Sequence, residues 1–244
     1  MKLSVVGLGP GAGSDLTGRA RRALEESELI VGYTAYVEMV KGEFPGKEFM
    51  DTGMRREEER CRAALERAAR GVRVAVVCSG DAGVYGMAGL IYEVGRDYPS
   101  VDIEVIPGVT AALGGAAVLG APMTHDFAVV SLSDLLISWH DIERRLRKAA
   151  QAGFVICLYN PASRSRPDHL KKACDILLKV LDGSTVCAWV RNVGREGEES
   201  RTLKLSELRE EPVDMFTTVF IGNGQTQLIG EKMITPRGYE MKRD

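Results

Sequence analysis

Hydrophobic residues are spaced along this chain in two ways, as short unbroken runs and as stripes recurring every three to four positions, and the two kinds take turns. In the first half, runs at residues 3–6, 29–31, 48–50, 74–77 and 102–106 predict strands. Helices are expected between them: one from about Asp15 with Leu16, Ala20, Ala23 and Leu24 on one face, a short one at 35–40, a charged one ending near Arg70 with Cys61, Leu65 and Ala68 inward, and one at 84–96. Most charges on the third helix read as a solvated face. The second half repeats the alternation, with strands at 127–132, 154–159 and 185–191 and a helix from about Ser138 carrying Ile142, Leu146, Ala149 and Ala150 on one side. The clearest stripe in the chain follows, at Leu170, Ala173, Cys174, Leu177, Leu178 and Leu181, and the remainder reads as β-rich, with strands at 217–221 and 232–234. Alternation of this kind predicts an α/β fold.

Val74, Ala75, Val76 and Val77 have the pattern of a strand buried on both faces, and the run stops abruptly at Ser79-Gly80-Asp81-Ala82-Gly83. In open α/β sheets ligands sit beyond the carboxyl ends of strands, where glycines let the backbone approach and an acidic side chain supplies an acceptor. The same residues equally suit a plain strand-to-helix turn with an aspartate near the cap. The first strand runs into a second glycine-rich turn, Gly7-Leu8-Gly9-Pro10-Gly11-Ala12-Gly13, which invites a dinucleotide reading and an NAD-dependent oxidoreductase. Against that, the second strand ends in Gly32-Tyr33-Thr34 where an acid should hold the ribose, and Pro10 removes one N–H from any phosphate cradle.

Length and charge narrow the picture further. A chain of 244 residues has room for two modest domains, and Ala121-Pro122-Met123-Thr124 reads as the linker between one at 1–121 and one at 122–244. With 32 Lys plus Arg against 34 Asp plus Glu, the net charge of -2 offers no general attraction to nucleic acid or to an anionic membrane, so anion recognition must be local. Cys61, Cys78, Cys157, Cys174 and Cys187 form no C-x-x-C pair and fall inside apolar patterns, as reduced core residues of a cytoplasmic protein would. The uncharged stretch 105–123 is broken by Pro107-Gly108 and Pro122, which leaves a helix of about 18 Å, too short for a bilayer. No targeting pattern precedes Gly7, and no metal site is expected.

Taken in order, Gly7-Leu8-Gly9-Pro10-Gly11, Ser79 to Gly86, Pro107-Gly108-Val109-Thr110-Ala111 and Leu158-Tyr159-Asn160-Pro161 resemble the tetrapyrrole methyltransferases, the class III enzymes that use S-adenosylmethionine. Gly32-Tyr33-Thr34-Ala35-Tyr36, Gly53-Met54-Arg55, Leu119-Gly120-Ala121-Pro122, His125-Asp126-Phe127, the segment 131–136, the segment 191–197 and Thr235-Pro236-Arg237-Gly238-Tyr239 bring the likeness closest to the branch that methylates C17 of precorrin-3B in cobalamin biosynthesis. Cys78 stands where that branch usually has serine, and Gly114-Gly115 interrupts a stretch usually richer in alanine.

The resemblance implies two α/β domains with the cofactor cleft between them, a homodimer, and a ring carbon of the tetrapyrrole as nucleophile toward the sulfonium methyl. It places the cofactor against Pro10, Asp81, Val84, Thr110, Ala111, Tyr159 and Asn160, with Arg191 and Gly222 as further contacts. The branch also contracts the macrocycle, which needs an acid or base, and His125, Asp126, Ser133 and Asp134 are the candidates. His125 serves equally as a capping or packing residue. Several substrate carboxylates call for arginines, and Arg55, Arg164, Arg195 and Arg237 lie in expected loops. Methylation at another tetrapyrrole position and a non-catalytic tetrapyrrole-binding module remain as alternatives.

Overall fold

The structure, a computed structural model, describes residues 1–11 and 13–239. Ala12, within the glycine-rich first turn, and the last five residues of the second expected domain lie outside them. The chain divides into two compact units, Met1–Ala111 and Ala112–Asp244.

The first unit runs β1 (Lys2–Gly7), α1 (Gly18–Glu26), β2 (Leu29–Tyr33), α2 (Thr34–Lys41), β3 (Glu48–Thr52), α3 (Glu57–Ala69), β4 (Val74–Cys78), α4 (Ala88–Gly95) and β5 (Asp102–Ile106). Its five strands pair in the order β3-β2-β4-β1-β5, every pair parallel, with β4 in the middle. Because side chains alternate along a strand, each strand feeds two cores. Val74, Val76 and Cys78 meet Cys61, Leu65 and Ala68 of α3 and Ile91 of α4, while Ala75 and Val77 share the opposite face with Leu24 of α1 and Val37 of α2. Thr17 opens α1 by accepting the Ala20 N–H at 3.1 Å. The helix therefore begins after a short 3-10 turn at Gly13–Asp15 rather than at Asp15.

The second unit begins with α5 (Ala111–Leu119) and β6 (Gly120–Ala121), then β7 (Phe127–Ser131), α6 (Trp139–Gln151), β8 (Val155–Tyr159), α7 (His169–Leu177), β9 (Val186–Arg191), β10 (Glu199–Lys204), α8 (Leu205–Leu208), β11 (Thr217–Ile221), β12 (Gln227–Ile229) and β13 (Lys232–Ile234). Its main sheet is mixed, β10-β9-β11-β8-β7, with β7 parallel to β8 and the remaining neighbours antiparallel. A small sheet, β12-β13-β6, stands beside it. One face of the main sheet carries α6, α7 and α8, through Ile142, Leu146, Leu170, Leu177 and Leu205. The other face takes α5, whose Ala112, Ala116 and Leu119 pack with Cys157, Ala188, Val190 and Phe220. That packing is why the contacts divide upstream of the Ala121–Pro122 linker. It also explains Gly115, where a Cβ would stand 2.9 Å from Phe220 Cζ.

All five cysteines are free and buried. Among the described residues no helix is long and apolar enough to cross a membrane.

Candidate active site

In the first unit, three glycines end or follow adjacent parallel strands and touch backbone to backbone. A Cβ on Gly108 would stand 2.2 Å from the Gly80 carbonyl oxygen and 2.7 Å from that of Gly7, and one on Gly7 would stand 2.6 Å from the Gly108 nitrogen. Gly9 and Gly80 exchange hydrogen bonds at 3.0 and 2.8 Å, each in the left-handed backbone region with φ of 81° and 67°. L-residues with a Cβ adopt that region at a cost of about 1–2 kcal/mol. The glycines are thus required by the packing of the loops on each other.

Asp81 locks this arrangement. One carboxylate oxygen accepts the Gly83 N–H at 2.8 Å within its own loop, and the other accepts the Gly108 N–H at 3.0 Å from the loop after β5. Thr110 and Ala111 lie against Gly80, and Val84 closes the turn from Asp81, its N–H donating to the Asp81 carbonyl at 3.3 Å, ahead of α4 at Ala88. Cys78, just before the loop, accepts the Met87 N–H at 3.4 Å through Sγ, and burial pushes its thiol up to about 11.

Arg60 is the exception to the solvated face of charges on α3. It is 3% exposed, and its guanidinium donates to Thr52 Oγ1 at 2.9 Å and to the carbonyls of Thr52 and Gly53 at 3.2 and 3.1 Å. It closes the end of β3 and fixes the start of the loop that carries Arg55. Arg55 holds φ of 64°, and its N–H donates to Glu57. A cavity of about 180 Å³ near Lys2, Arg19 and Glu104 lies at the amino ends of β1 and β5, the wrong end of a parallel sheet for ligands, and its Lys2 and Arg19 are already paired with Glu104.

In the second unit, β7 and β8 run parallel with Ser131 opposite Tyr159. Both carboxyl ends therefore open on the same side. Asn160, at φ of 54°, donates from Nδ2 to Ser131 Oγ at 2.9 Å, and Tyr159 Oη accepts the Ala112 N–H at 2.7 Å. Ser133 and Asp134 follow β7 at this end, where Arg166 Nη1 donates to Ser133 Oγ at 2.7 Å and stands 3.5 Å from Asp134. His169, 5% exposed, bonds through Nδ1 to the Leu132 carbonyl at 2.8 Å. Sequence reading passed over both Arg166 and His169.

The four acid–base candidates do not come together. His125 and Asp126 precede β7, so a whole strand, roughly 15 Å, separates them from Ser133 and Asp134. His125 is bound up locally, with Nδ1 accepting the Asp126 N–H at 2.9 Å. Gly222 follows Ile221, which pairs with Ile156, and so lies toward the amino end of β8. Its N–H donates to the Val186 carbonyl and Thr226 fills the space over its Cα, where a Cβ would stand 2.5 Å from that side chain.

The arginines also divide. Arg191 spends its guanidinium on the Pro212 carbonyl at 2.7 Å, on Glu199 and Asp214 at 3.4 and 3.5 Å, and on the Trp189 ring. Arg195 stands over Phe216, at the turn where Asn192 takes φ of 52°. Arg164 and Arg237 are exposed in their loops. Among the described residues, four other than glycine hold positive φ, namely Arg55, Tyr85, Asn160 and Asn192, and each lies in a loop leaving the carboxyl end of a strand. Strain of this kind concentrates where a loop is held for function.

Comparison with known proteins extends the picture. A family model described as tetrapyrrole (corrin/porphyrin) methylases matches residues 2–209. A probable cobalt-factor III C(17)-methyltransferase of Salmonella typhimurium is 46% identical over 98% of this chain and 100% of its own length. A precorrin-3B C(17)-methyltransferase of Sinorhizobium sp is 39% identical, over 97% of this chain and 96% of its own. The crystal structure of the methyltransferase CobJ aligns at a TM-score of 0.91 with 37% identity, over 96% of this chain and 99% of that one. Uroporphyrin-III C-methyl transferase from Thermus thermophilus, solved with S-adenosyl homocysteine, aligns at 0.73 with 26% identity, over 91% and 97%.

Proposed function

This chain belongs to the tetrapyrrole methylase family, and from that premise we propose that it transfers a methyl group from S-adenosylmethionine to C17 of precorrin-3B or its cobalt-bearing counterpart, with contraction of the macrocycle. The reading is carried by end-to-end similarity to a relative named for C17 methylation, at 46% identity. A non-catalytic module or an NAD enzyme would not be expected to keep that whole-length likeness.

The residues of the first unit fit the cofactor. Each Asp81 oxygen accepts one N–H, which leaves lone pairs for a hydroxyl or ammonium group, and the glycine-lined loops bring backbone polar groups to the same strand ends. When bound, the cofactor supplies an electrophilic methyl group. Pro10, Asp81, Val84, Thr110 and Ala111 hold it in this reading, joined by Tyr159 and Asn160, while Arg191, engaged by Pro212, Glu199 and Asp214, and Gly222, at the opposite strand ends, are left out. The protein's own task is orientation, worth up to roughly 7–11 kcal/mol in well-aligned systems. Arg55, Arg164, Arg195 and Arg237 take the substrate carboxylates. Of the acid–base candidates, Ser133 and Asp134 keep the role, because they share a strand end with Asn160, whereas His125 and Asp126 do not.

The test is incubation with each tetrapyrrole and labelled S-adenosylmethionine, followed by mass and optical spectra. One added methyl group and a contracted-ring spectrum are expected with one of the two. No incorporation with either, or binding of NADH in place of S-adenosylhomocysteine, would overturn the reading. The family likeness also implies a homodimer, which sedimentation measures. Five free, buried thiols suit the reducing cytoplasm.

A further inference from the structure

The segment after β7 holds Ser133 and Asp134 but has little internal support. Ser133 N–H reaches Ser131 Oγ at 3.2 Å, and the next residues, Leu135 and Leu136, are 59% and 97% exposed. Leu132, just ahead of Ser133, is anchored by burial and by its N–H on the Tyr159 carbonyl at 2.9 Å, so what remains to be held is the chain beyond it.

Arg166, three residues ahead of α7, and His169, its first residue, supply the hold. Arg166 is itself fixed by a tight turn, where its N–H donates to the Ser163 carbonyl at 3.0 Å, the Ser163 N–H returns to its carbonyl at 3.2 Å, and its Nε donates to Ser163 Oγ at 3.2 Å. From that base the guanidinium reaches Ser133 Oγ at 2.7 Å and stands 3.5 Å from Asp134 Oδ1. His169 packs its ring against Trp139 with centroids 4.7 Å apart, and its Nδ1 meets the Leu132 carbonyl at 2.8 Å. A carbonyl only accepts, so Nδ1 carries the proton and Nε2 faces Asp134 Oδ2 at 3.7 Å. Arg166, in the loop before α7, thus reaches Ser133 and Asp134 directly, while His169, the first residue of α7, holds the carbonyl just ahead of Ser133.

We propose that Arg166 and His169 are positioning residues for Asp134, Arg166 through its carboxylate and the Ser133 hydroxyl and His169 through the Leu132 carbonyl, which together hold the carboxyl end of β7 for the acid–base step of the reaction. Neither side chain needs to touch substrate. Arg166 is suited to the task because a planar fork can bond Ser163 and Ser133 at once, which a lysine cannot. His169 fixes the backbone immediately before Ser133, so the segment is pinned at two consecutive residues. The proposal rests on the methyltransferase reading above.

The test uses the full chain with Arg166→Lys, Arg166→Gln and His169→Gln, each measured for melting temperature, S-adenosylhomocysteine affinity by calorimetry, and kcat and KM for the tetrapyrrole that the parent methylates. Tenfold or greater loss of kcat is expected in Arg166→Gln and His169→Gln, with cofactor affinity within about twofold of the parent. Arg166→Lys, which keeps the charge, should recover part of the loss. Parental kcat in both glutamine variants overturns the proposal. So does loss of cofactor affinity in step with kcat, including in Arg166→Lys, since that marks a fold defect. A parent that methylates neither tetrapyrrole would refute the functional reading instead.

Discussion

The two sheets meet the same requirement, a precise set of loops at strand ends, with opposite materials. In the first unit the loops are held by what is absent: Gly7, Gly80 and Gly108 bring three backbones together because none has a Cβ, and Asp81 fastens the result through N–H groups. In the second unit the corresponding end is held by side chains, from Ser131 and Asn160 through Ser133 to Arg166 and His169. Adding atoms should therefore be the worse insult to the first unit, and removing them the worse insult to the second.

Gly108→Ala should have the largest effect. Its Cβ would fall 2.2 Å from the Gly80 carbonyl oxygen, and overpacking against backbone typically costs about 1–3 kcal/mol or more. We expect a melting point several degrees lower and S-adenosylhomocysteine binding weakened a hundredfold or more in calorimetry. Parental affinity would break the comparison at its root. Asp81→Asn comes next: one of two accepting oxygens becomes an NH2 group facing an N–H, at a cost of about 1–3 kcal/mol. Tenfold weaker cofactor binding with a modest drop in melting temperature is expected, and an unchanged melt would show that one oxygen suffices for both loops. Ser131→Ala removes the acceptor shared by Asn160 Nδ2 and the Ser133 N–H, about 1 kcal/mol, and should lower kcat for the tetrapyrrole more than it lowers cofactor affinity. Equal losses would mean that the second unit's network serves the cofactor alone. Smallest is Gly18→Ala, at a helical glycine whose would-be Cβ has nothing within 4 Å beyond its own chain neighbours and helix backbone. Stabilisation of about 0.4–1 kcal/mol, read as a slightly higher melt with unchanged binding, would sharpen the claim that only packed glycines matter.

Strands buried on both faces were legible because an unbroken apolar run leaves few other readings, and β2 and β4 appear where residues 29–31 and 74–77 predict them. β10 was not, because Glu199–Lys204 is an edge strand with a single buried residue and offers no run to read. The helix expected from residue 84 begins at Ala88 because the chain first turns back, the Ala88 N–H donating to the Ala82 carbonyl. For the site, the glycines and Asp81 are conspicuous in sequence at a strand end, a pattern that suits a ligand loop and a plain turn alike, and the Asp81 bonds to two loops are not legible there. His125-Asp126 and Ser133-Asp134 look equivalent in sequence, and only the direction of β7 separates them. Arg60 and His169 could have been found by extending the buried stripes: Arg60 precedes Cys61 and Ala64 at helical spacing, and His169 precedes Leu170 and Ala173. Charge on the side chain hid the periodicity.

The buried thiols make this protein its own stopwatch. Cys61 and Cys78 belong to the first unit and Cys157, Cys174 and Cys187 to the second, none more than 3% exposed, and burial raises all five above the ordinary thiol range, Cys61 and Cys174 to about 12. At neutral pH a thiol-selective dye meets neither surface nor thiolate, so labelling waits for a local opening. Peptide masses taken over time then report which unit breathes first, and whether a bound ligand slows one clock or both, with no engineered probe.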